Sequence, residues 1–164
     1  MQMAEGELTI GAGHDFDSIF REERDGVFRT MLAFTGGRAD IAEEATAEAF
    51  ARAFANRMKL RDPAAWIYRA AFRIATDEVR RDRRRDELIE SELPDASPAL
   101  VDLIAALRKL SPNQRAAIVL RHVGGLETAE VARRMGISTP TVRVHLHRGR
   151  THLRELLRTE ENDS

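Results

Sequence analysis

The sequence predicts an all-α protein made of two small helical domains joined by an acidic linker, the second containing a helix-turn-helix. Composition is the first reason. Apolar residues make up 43% of the 164-residue chain but aromatics only 5%, so the core must be built chiefly from Ala, Leu, Val and Ile. That supply suits two- and three-helix modules better than a broad β-sandwich. The second reason is propensity: Ala, Arg, Glu and Leu dominate, all good helix formers, and no long stretch alternates β-branched with polar residues. The third is punctuation, because cap, Pro and Gly signals cut the chain into helix-length pieces.

Residues 1–13 are polar and Gly-rich, with no basic segment leading into an apolar run, so they do not read as a secretory signal. Phe16, Ile19, Phe20, Val27, Met31 and Leu32 then recur at helical spacing, with Asp15 or Asp17 as N-cap and Gly36-Gly37 as the stop. A second helix is expected from about Asp40 to Ala55. It is acidic early (Asp40, Glu43, Glu44), as the helix dipole favours, and buries Ala49, Phe50, Ala53 and Phe54. Residues 56–61 form a basic connector. Asp62-Pro63 caps and opens a long helix through Trp66, Ile67, Ala70, Ala71, Ile74 and Val79, which runs into the basic series Arg80-Arg81-Asp82-Arg83-Arg84-Arg85. With so few aromatics available, Trp66 is read as core in preference to a stacking platform. The boundaries expected are 14–85 for the first domain, 86–100 for the linker and 101–158 for the second domain. In the latter, Leu100, Leu103, Ile104, Leu107 and Leu110 make one amphipathic helix. Ser111-Pro112 starts another, through Ala116, Ile118, Val119 and Leu120, which Gly124-Gly125 closes.

The formal net charge of −1 conceals a strong segregation. Residues 56–85 hold 10 basic and 4 acidic side chains and residues 103–158 hold 11 and 3, whereas residues 86–102 hold 6 acidic and no basic ones. Two basic blocks separated by an acidic one point to two nucleic-acid-facing surfaces rather than to uniformly solvated helix faces. Cysteine is absent, so disulfides, thiolate-bound zinc and thiol sensing are excluded from this chain. No run approaches eighteen apolar residues, so no membrane association is expected. A reducing cytoplasm is the expected location.

Residues 126–156 carry the most information. Val131 and Ala132 sit on a short helix that stops at Gly136, where a left-handed backbone makes the sharp turn. Ile137 plugs the turn, Ser138 caps the next helix and Pro140 lies in its first turn, where a missing amide hydrogen costs little. Val142, Leu146 and Leu153 face inward. That leaves Ser138, Thr139, Pro140, Thr141, Arg143, Val144, His147 and Arg148 on or near the outer face. A small residue, a Gly four positions later and an apolar residue six after that let two helices cross closely, so that the second presents its N-terminal turns to the major groove. Arg143 can reach base edges or phosphates, while Ser, Thr and the later arginines fix position on the backbone. The competing explanation, an αα-hairpin with a solvated basic face, does not require this joint spacing, capping and charge. His145, His147 and His152 do not share one helix face, so no metal site is expected. No Gly-rich phosphate loop or nucleophile–base arrangement appears, and neither enzymatic activity nor a cofactor is expected.

With those residues in view, the chain resembles the extracytoplasmic-function sigma factors of bacterial RNA polymerase over residues 16–157. The second-domain match is specific: Leu107-Arg108-Lys109-Leu110-Ser111-Pro112-Asn113-Gln114-Arg115, Glu130-Val131-Ala132, Gly136-Ile137-Ser138, Thr141-Val142 and Leu146-His147-Arg148-Gly149-Arg150. The resemblance implies that this domain reads the minus-thirty-five promoter element. In the first domain, Asp62-Pro63-Ala64-Ala65-Trp66-Ile67-Tyr68-Arg69, with Asp77 and Arg80-Arg81, looks like the family's promoter-melting helix. Residues 56–61 correspond to the loop that captures an unstacked base of the minus-ten element. The resemblance thus places Asn56, Lys59, Arg61, Arg69, Arg73, Arg80 and Arg81 on minus-ten DNA, and Asp40, Glu43, Glu44, Ala47 and Phe50 on core polymerase. Three positions depart from the pattern. Ala47 replaces a polar Gln on the core-binding helix, Arg73 stands where Asn is usual, and Glu127 replaces the Ser or Thr of a capping box. The partners implied are core RNA polymerase, promoter DNA and an anti-sigma protein. Two other classes fit the same pattern: a stand-alone helix-turn-helix regulator, or a protein-interaction module governed by an anti-sigma partner.

Overall fold

The computed structural model describes residues 15–85 and 97–162, and among them every regular element is helical. The N-terminal segment 1–14 and most of the acidic linker, 86–96, lie outside the described residues. Among the described residues seven α-helices follow in order: α1 (Phe16–Phe34), α2 (Ala39–Ala55), α3 (Pro63–Arg85), α4 (Pro98–Lys109), α5 (Pro112–His122), α6 (Thr128–Met135) and α7 (Thr139–Asn162). A single 3-10 turn, Arg57–Lys59, lies in the basic connector.

Local chemistry sets most of these limits. Asp15, rather than Asp17, caps α1 by accepting from the Ser18 amide at 3.3 Å. Asp62 does the same for α3 through the Ala65 amide at 3.1 Å, with Pro63 at the first helical position. Ser97 and Ser111 repeat the device at α4 and α5, each followed by Pro. Each such cap contributes about 1 kcal/mol. The small side chains of α2 (Ala42, Ala45, Ala49 and Ala53) are completely buried, which lets α1 and α3 approach its backbone closely. Arg38 ties the start of α2 to the far end of α3 by pairing with Asp40 and Asp82, both at 2.8 Å.

The two groups of helices are not held apart. Val27, Met31 and Phe34 of α1 and Ile67 and Ala71 of α3 belong to one continuous apolar cluster with Leu107, Leu110, Ala116, Leu120, Val131 and Val142. Helix α1 meets α5 and α4, and α3 meets α6. Trp66 is half-buried against this cluster, as core. Two expectations need correction. Leu100 and Leu103 are 43% and 38% exposed, because α4 is buried at Ile104, Ala106 and Leu107, with Leu110 at its C-cap, and not along its first turn. Phe54 is 51% exposed: it lies at the end of α2, where the edge of the Phe16 ring is its aromatic neighbour.

Candidate nucleic-acid interface

Helices α6 and α7 build the turn the sequence predicts. Gly136 adopts φ 69° and ψ 32°, and the Ile137 amide reaches back to the Ala132 carbonyl at 3.1 Å. A side chain at Gly136 would cost about 1–2 kcal/mol for the left-handed backbone alone. It would also put a Cβ 2.8 Å from Nη1 of Arg69. Glu127 is the N-cap of α6 and makes no side-chain cap bond, so the capping box is lost and Thr128 does not take its place. An eight-residue helix without a cap must be held by its surroundings, and Val131, Ala132 and Arg134 are all buried.

Helix α7 has a clear division of faces. Val142, Leu146 and Gly149 are buried and Leu153 is half-buried, a stripe at helical spacing toward the core. Close approach at Gly149 is tight, since a Cβ there would lie 3.0 Å from Ile118 Cγ1. Pro140, Arg143, Val144 and His147 form an exposed stripe, and Thr141 and Arg148 are exposed beside it. Thr139 is half-buried. Ser138 is exposed but engaged, accepting the Thr141 amide at 3.3 Å and bonding the Thr141 hydroxyl at 2.7 Å. His145 and His152 are half-buried and His147 exposed, so the three do not share one face.

The predicted minus-ten set falls into two groups. Asn56 caps α2, with its amide donating to the Arg52 carbonyl at 2.8 Å, and Lys59 and Arg61 are exposed beside it. Arg69, Arg73 and Arg80 lie along one face of α3 and line an open cleft of about 370 Å³ whose far wall includes Asn113 and Met135. Arg81 is exposed and pairs with Glu78 at 2.6 Å. Arg69 and Arg80 are separated by about 17 Å of helix axis, and Arg61 lies before the helix begins, an extended arrangement suited to a strand running along α3 rather than to one compact pocket.

Of the predicted polymerase-contacting set, Asp40, Glu43, Glu44 and Ala47 are exposed on α2, whereas Phe50 is 4% exposed. The Arg38 guanidinium holds the Asp40 carboxyl below its ordinary range. Phe50 instead supports an aromatic groove, edge-on to Phe16 at 6.4 Å and Phe20 at 5.1 Å. Phe20 is 41% exposed, and the groove continues through Ala47 and Phe54. Sequence periodicity assigned Phe20 and Phe54 to the core. Their position at the ends of α1 and α2 leaves them open.

Arginines without an assigned role join the helix groups; Arg108 donates to the Gly36 carbonyl at 3.1 Å. Arg134 is 8% exposed; its Nη1 pairs with Glu23 at 3.2 Å, its Nε with Glu130 at 3.0 Å, and its guanidinium lies 4.5 Å from the Tyr68 ring centroid. Burial pushes the Tyr68 hydroxyl pKa up. Arg133 pairs with Asp62 at 3.1 Å and bonds Glu130, whose carboxyl is held below its ordinary value by Arg133 first and Arg134 after it. Arg115, 6% exposed, donates to the Leu107, Arg108 and Leu110 carbonyls and across to Phe34 at 3.2 Å.

Comparison with known proteins agrees with this architecture. Residues 100–153 match the family model described as Sigma-70, region 4. The chain is 31% identical to the RNA polymerase sigma-E factor of Streptomyces antibioticus, over 99% of this chain and 92% of that one. It is also 31% identical to the ECF RNA polymerase sigma factor SigE of Mycolicibacterium smegmatis, over 91% of this chain but 64% of that longer protein. Among solved structures, the sigma factor RpoE of Bartonella quintana, crystallised with the anti-sigma factor NepR, shares the fold with a TM-score of 0.67 at 22% identity. That likeness covers 88% of this chain and 97% of that one.

Proposed function

The chain belongs to the ECF RNA polymerase sigma factors, and on that premise we propose that it directs promoter-specific initiation by carrying two DNA-reading surfaces on core RNA polymerase. The family is regulatory: in this reading the polymerase supplies the chemistry, and the chain acts without catalysis or cofactor. Residues 101–158 read the minus-thirty-five element, with Ser138, Thr139, Pro140, Thr141, Arg143, Val144, His147 and Arg148 at the groove. The single observation that carries this is the exposed Pro140–Arg143–Val144–His147 stripe behind a left-handed glycine turn. Residues 14–85 hold the polymerase through α2 and engage the minus-ten element through Asn56, Lys59, Arg61, Arg69, Arg73, Arg80 and Arg81. The acidic segment 86–100 links the two. Each contact alone is weak, and tethering both to one polymerase raises the effective concentration of the second.

The methyl group at Ala47 does not disqualify α2 from core binding. A lost polar contact there costs about 0.5–1.5 kcal/mol. Covering the half-exposed rings of Phe20 and Phe54 returns roughly 1 kcal/mol or more each. The polymerase contact in this chain is therefore more apolar than the family pattern suggests, and the same groove offers a seat to an anti-sigma protein.

Selection of duplex DNA by the full chain, followed by Arg143→Ala, tests the assignment. Loss of an arginine–base contact is expected to weaken the selected element by about 10- to 100-fold, corresponding to roughly 1–3 kcal/mol, while co-elution with core polymerase is unchanged. Loss of core binding with DNA selection intact would mean that the surfaces are wrongly assigned.

A further inference from the structure

On the minus-thirty-five reading proposed above, we infer that His122 and Arg150 form a phosphate site at the edge of the recognition face. His122 takes up a proton when a DNA phosphate occupies this site, so DNA is held more tightly as pH falls. Helix α7 carries Arg143, His147, Arg150 and Arg154 at intervals of four, three and four residues, all exposed, which aligns them in one stripe. Arg150 lies about 10 Å of helix axis beyond Arg143. The major groove is about 12 Å wide, so with Arg143 at the base edges the Arg150 guanidinium comes to the phosphates of the groove wall. His122 ends α5, and the packing of α5 on α7 brings its Nε2 to 3.5 Å from Nη2 of Arg150, 28 residues away in the chain.

The charge gathered here is not compensated by the chain itself. Elsewhere Arg52, Arg81 and Arg133 each pair with a glutamate one helical turn away. From Thr139 to Arg154 there are four arginines and three histidines, and no Asp or Glu. Neither Arg121 nor Arg150 pairs with a carboxylate among the described residues. The charges that act on the His122 imidazole are Arg150 from α7 and Arg121 on α5 itself; α6 and α1, which also pack on α5, bring no carboxylate to it.

An arginine can only donate a hydrogen bond, so in the free protein the His122 nitrogen facing Arg150 accepts and the ring is neutral. Partial desolvation and then the two arginines hold the imidazole below its ordinary pKa, against the pull of the helix C-terminus. A phosphate reverses that balance. It gives Arg150 an anionic acceptor, and it favours the protonated ring, which donates from Nε2 to a phosphate oxygen. The proton comes from solvent, one for each phosphate seated.

Phosphate contacts are independent of sequence, so the full chain with a short mixed-sequence DNA duplex is a sufficient probe. Imidazole NMR follows His122, identified by the signal lost in His122→Gln. Saturating duplex is expected to raise its titration midpoint by about one pH unit, equivalent to about tenfold tighter binding by the protonated form. From pH 8 to pH 6.5 the affinity for duplex is expected to tighten about three- to tenfold, and His122→Gln to abolish that change. Arg150→Ala is expected to shrink it and to lower the salt slope by about one. His147→Gln, which removes the other imidazole of the stripe, is expected to leave the pH dependence in place whatever it does to affinity. Helical circular dichroism checks that each variant folds. A His122 midpoint that duplex does not move, or a pH dependence that survives His122→Gln, overturns the inference and leaves the promoter reading standing. Failure to co-elute with core polymerase, with these DNA results intact, counts against the promoter reading alone. No duplex binding at either pH overturns both.

Discussion

Arg115 shows how much one buried side chain can organise. Its fork satisfies the carbonyls of Leu107, Arg108 and Leu110 where α4 ends, and the carbonyl of Phe34 where α1 ends, while its guanidinium lies 5.1 Å from the Phe34 ring centroid. Arg115→Met would leave those acceptors unpaired, and a loss of about 3 kcal/mol is expected in urea unfolding. Arg115→Lys should recover only part of it, because a point-like ammonium cannot reproduce a planar fork; a Lys variant as stable as the parent would contradict this role. The sequence placed Arg115 within a recognisable motif but carried no sign of a partner 81 residues away. The same is true of Arg134 and Glu23, 111 residues apart. Local signals were legible at Asp62, Ser111, Gly136 and Ser138, because each bonds or turns within a few residues of itself.

At the level of elements, helix limits followed caps and breakers, whereas exposure depended on what packs where. Leu100, Leu103 and Phe54 keep helical spacing yet stay open to solvent, since a periodic apolar face is buried only along the length its neighbour covers. Helices α2, α5 and α6 also carry groups that link stability to pH. The Asp40 and Glu130 carboxyls ionise more readily in the fold than in the unfolded chain, each chiefly through an arginine bond, with ordinary values of 3.8 and 4.5. Their contribution is complete above that range and lost as pH falls through it. His122, near the end of α5, is held below its ordinary 6.5 by burial first and then by Arg150 and Arg121, which outweighs the helix dipole. Protonating it therefore favours the unfolded chain. The thermal midpoint is expected to be flat between about pH 7 and 9 and to fall from about pH 6.5 downward, with His122→Gln removing the earliest part of that fall. A midpoint that rises on acidification would contradict these directions.

For the whole molecule, charge segregation is the property from which function follows. The basic blocks 56–85 and 103–158 lie on opposite sides of an acidic segment, in a chain whose net charge is only −1. In the first block Arg57, Lys59, Arg61, Arg69, Arg73, Arg80 and Arg81 are exposed; the second is divided between Arg143, Arg148 and Arg150, exposed on α7, and Arg115 and Arg134, buried where the helix groups meet. The seam between the helix groups was not legible, because composition and periodicity describe surfaces one at a time. The central claim is that these surfaces act together on a polymerase, and run-off transcription tests it most directly. Purified core RNA polymerase with this chain, on a library of promoter fragments, is predicted to yield discrete transcripts that core alone does not make and that Arg143→Ala reduces. No transcript, together with no co-elution of the chain with core polymerase, would contradict the account.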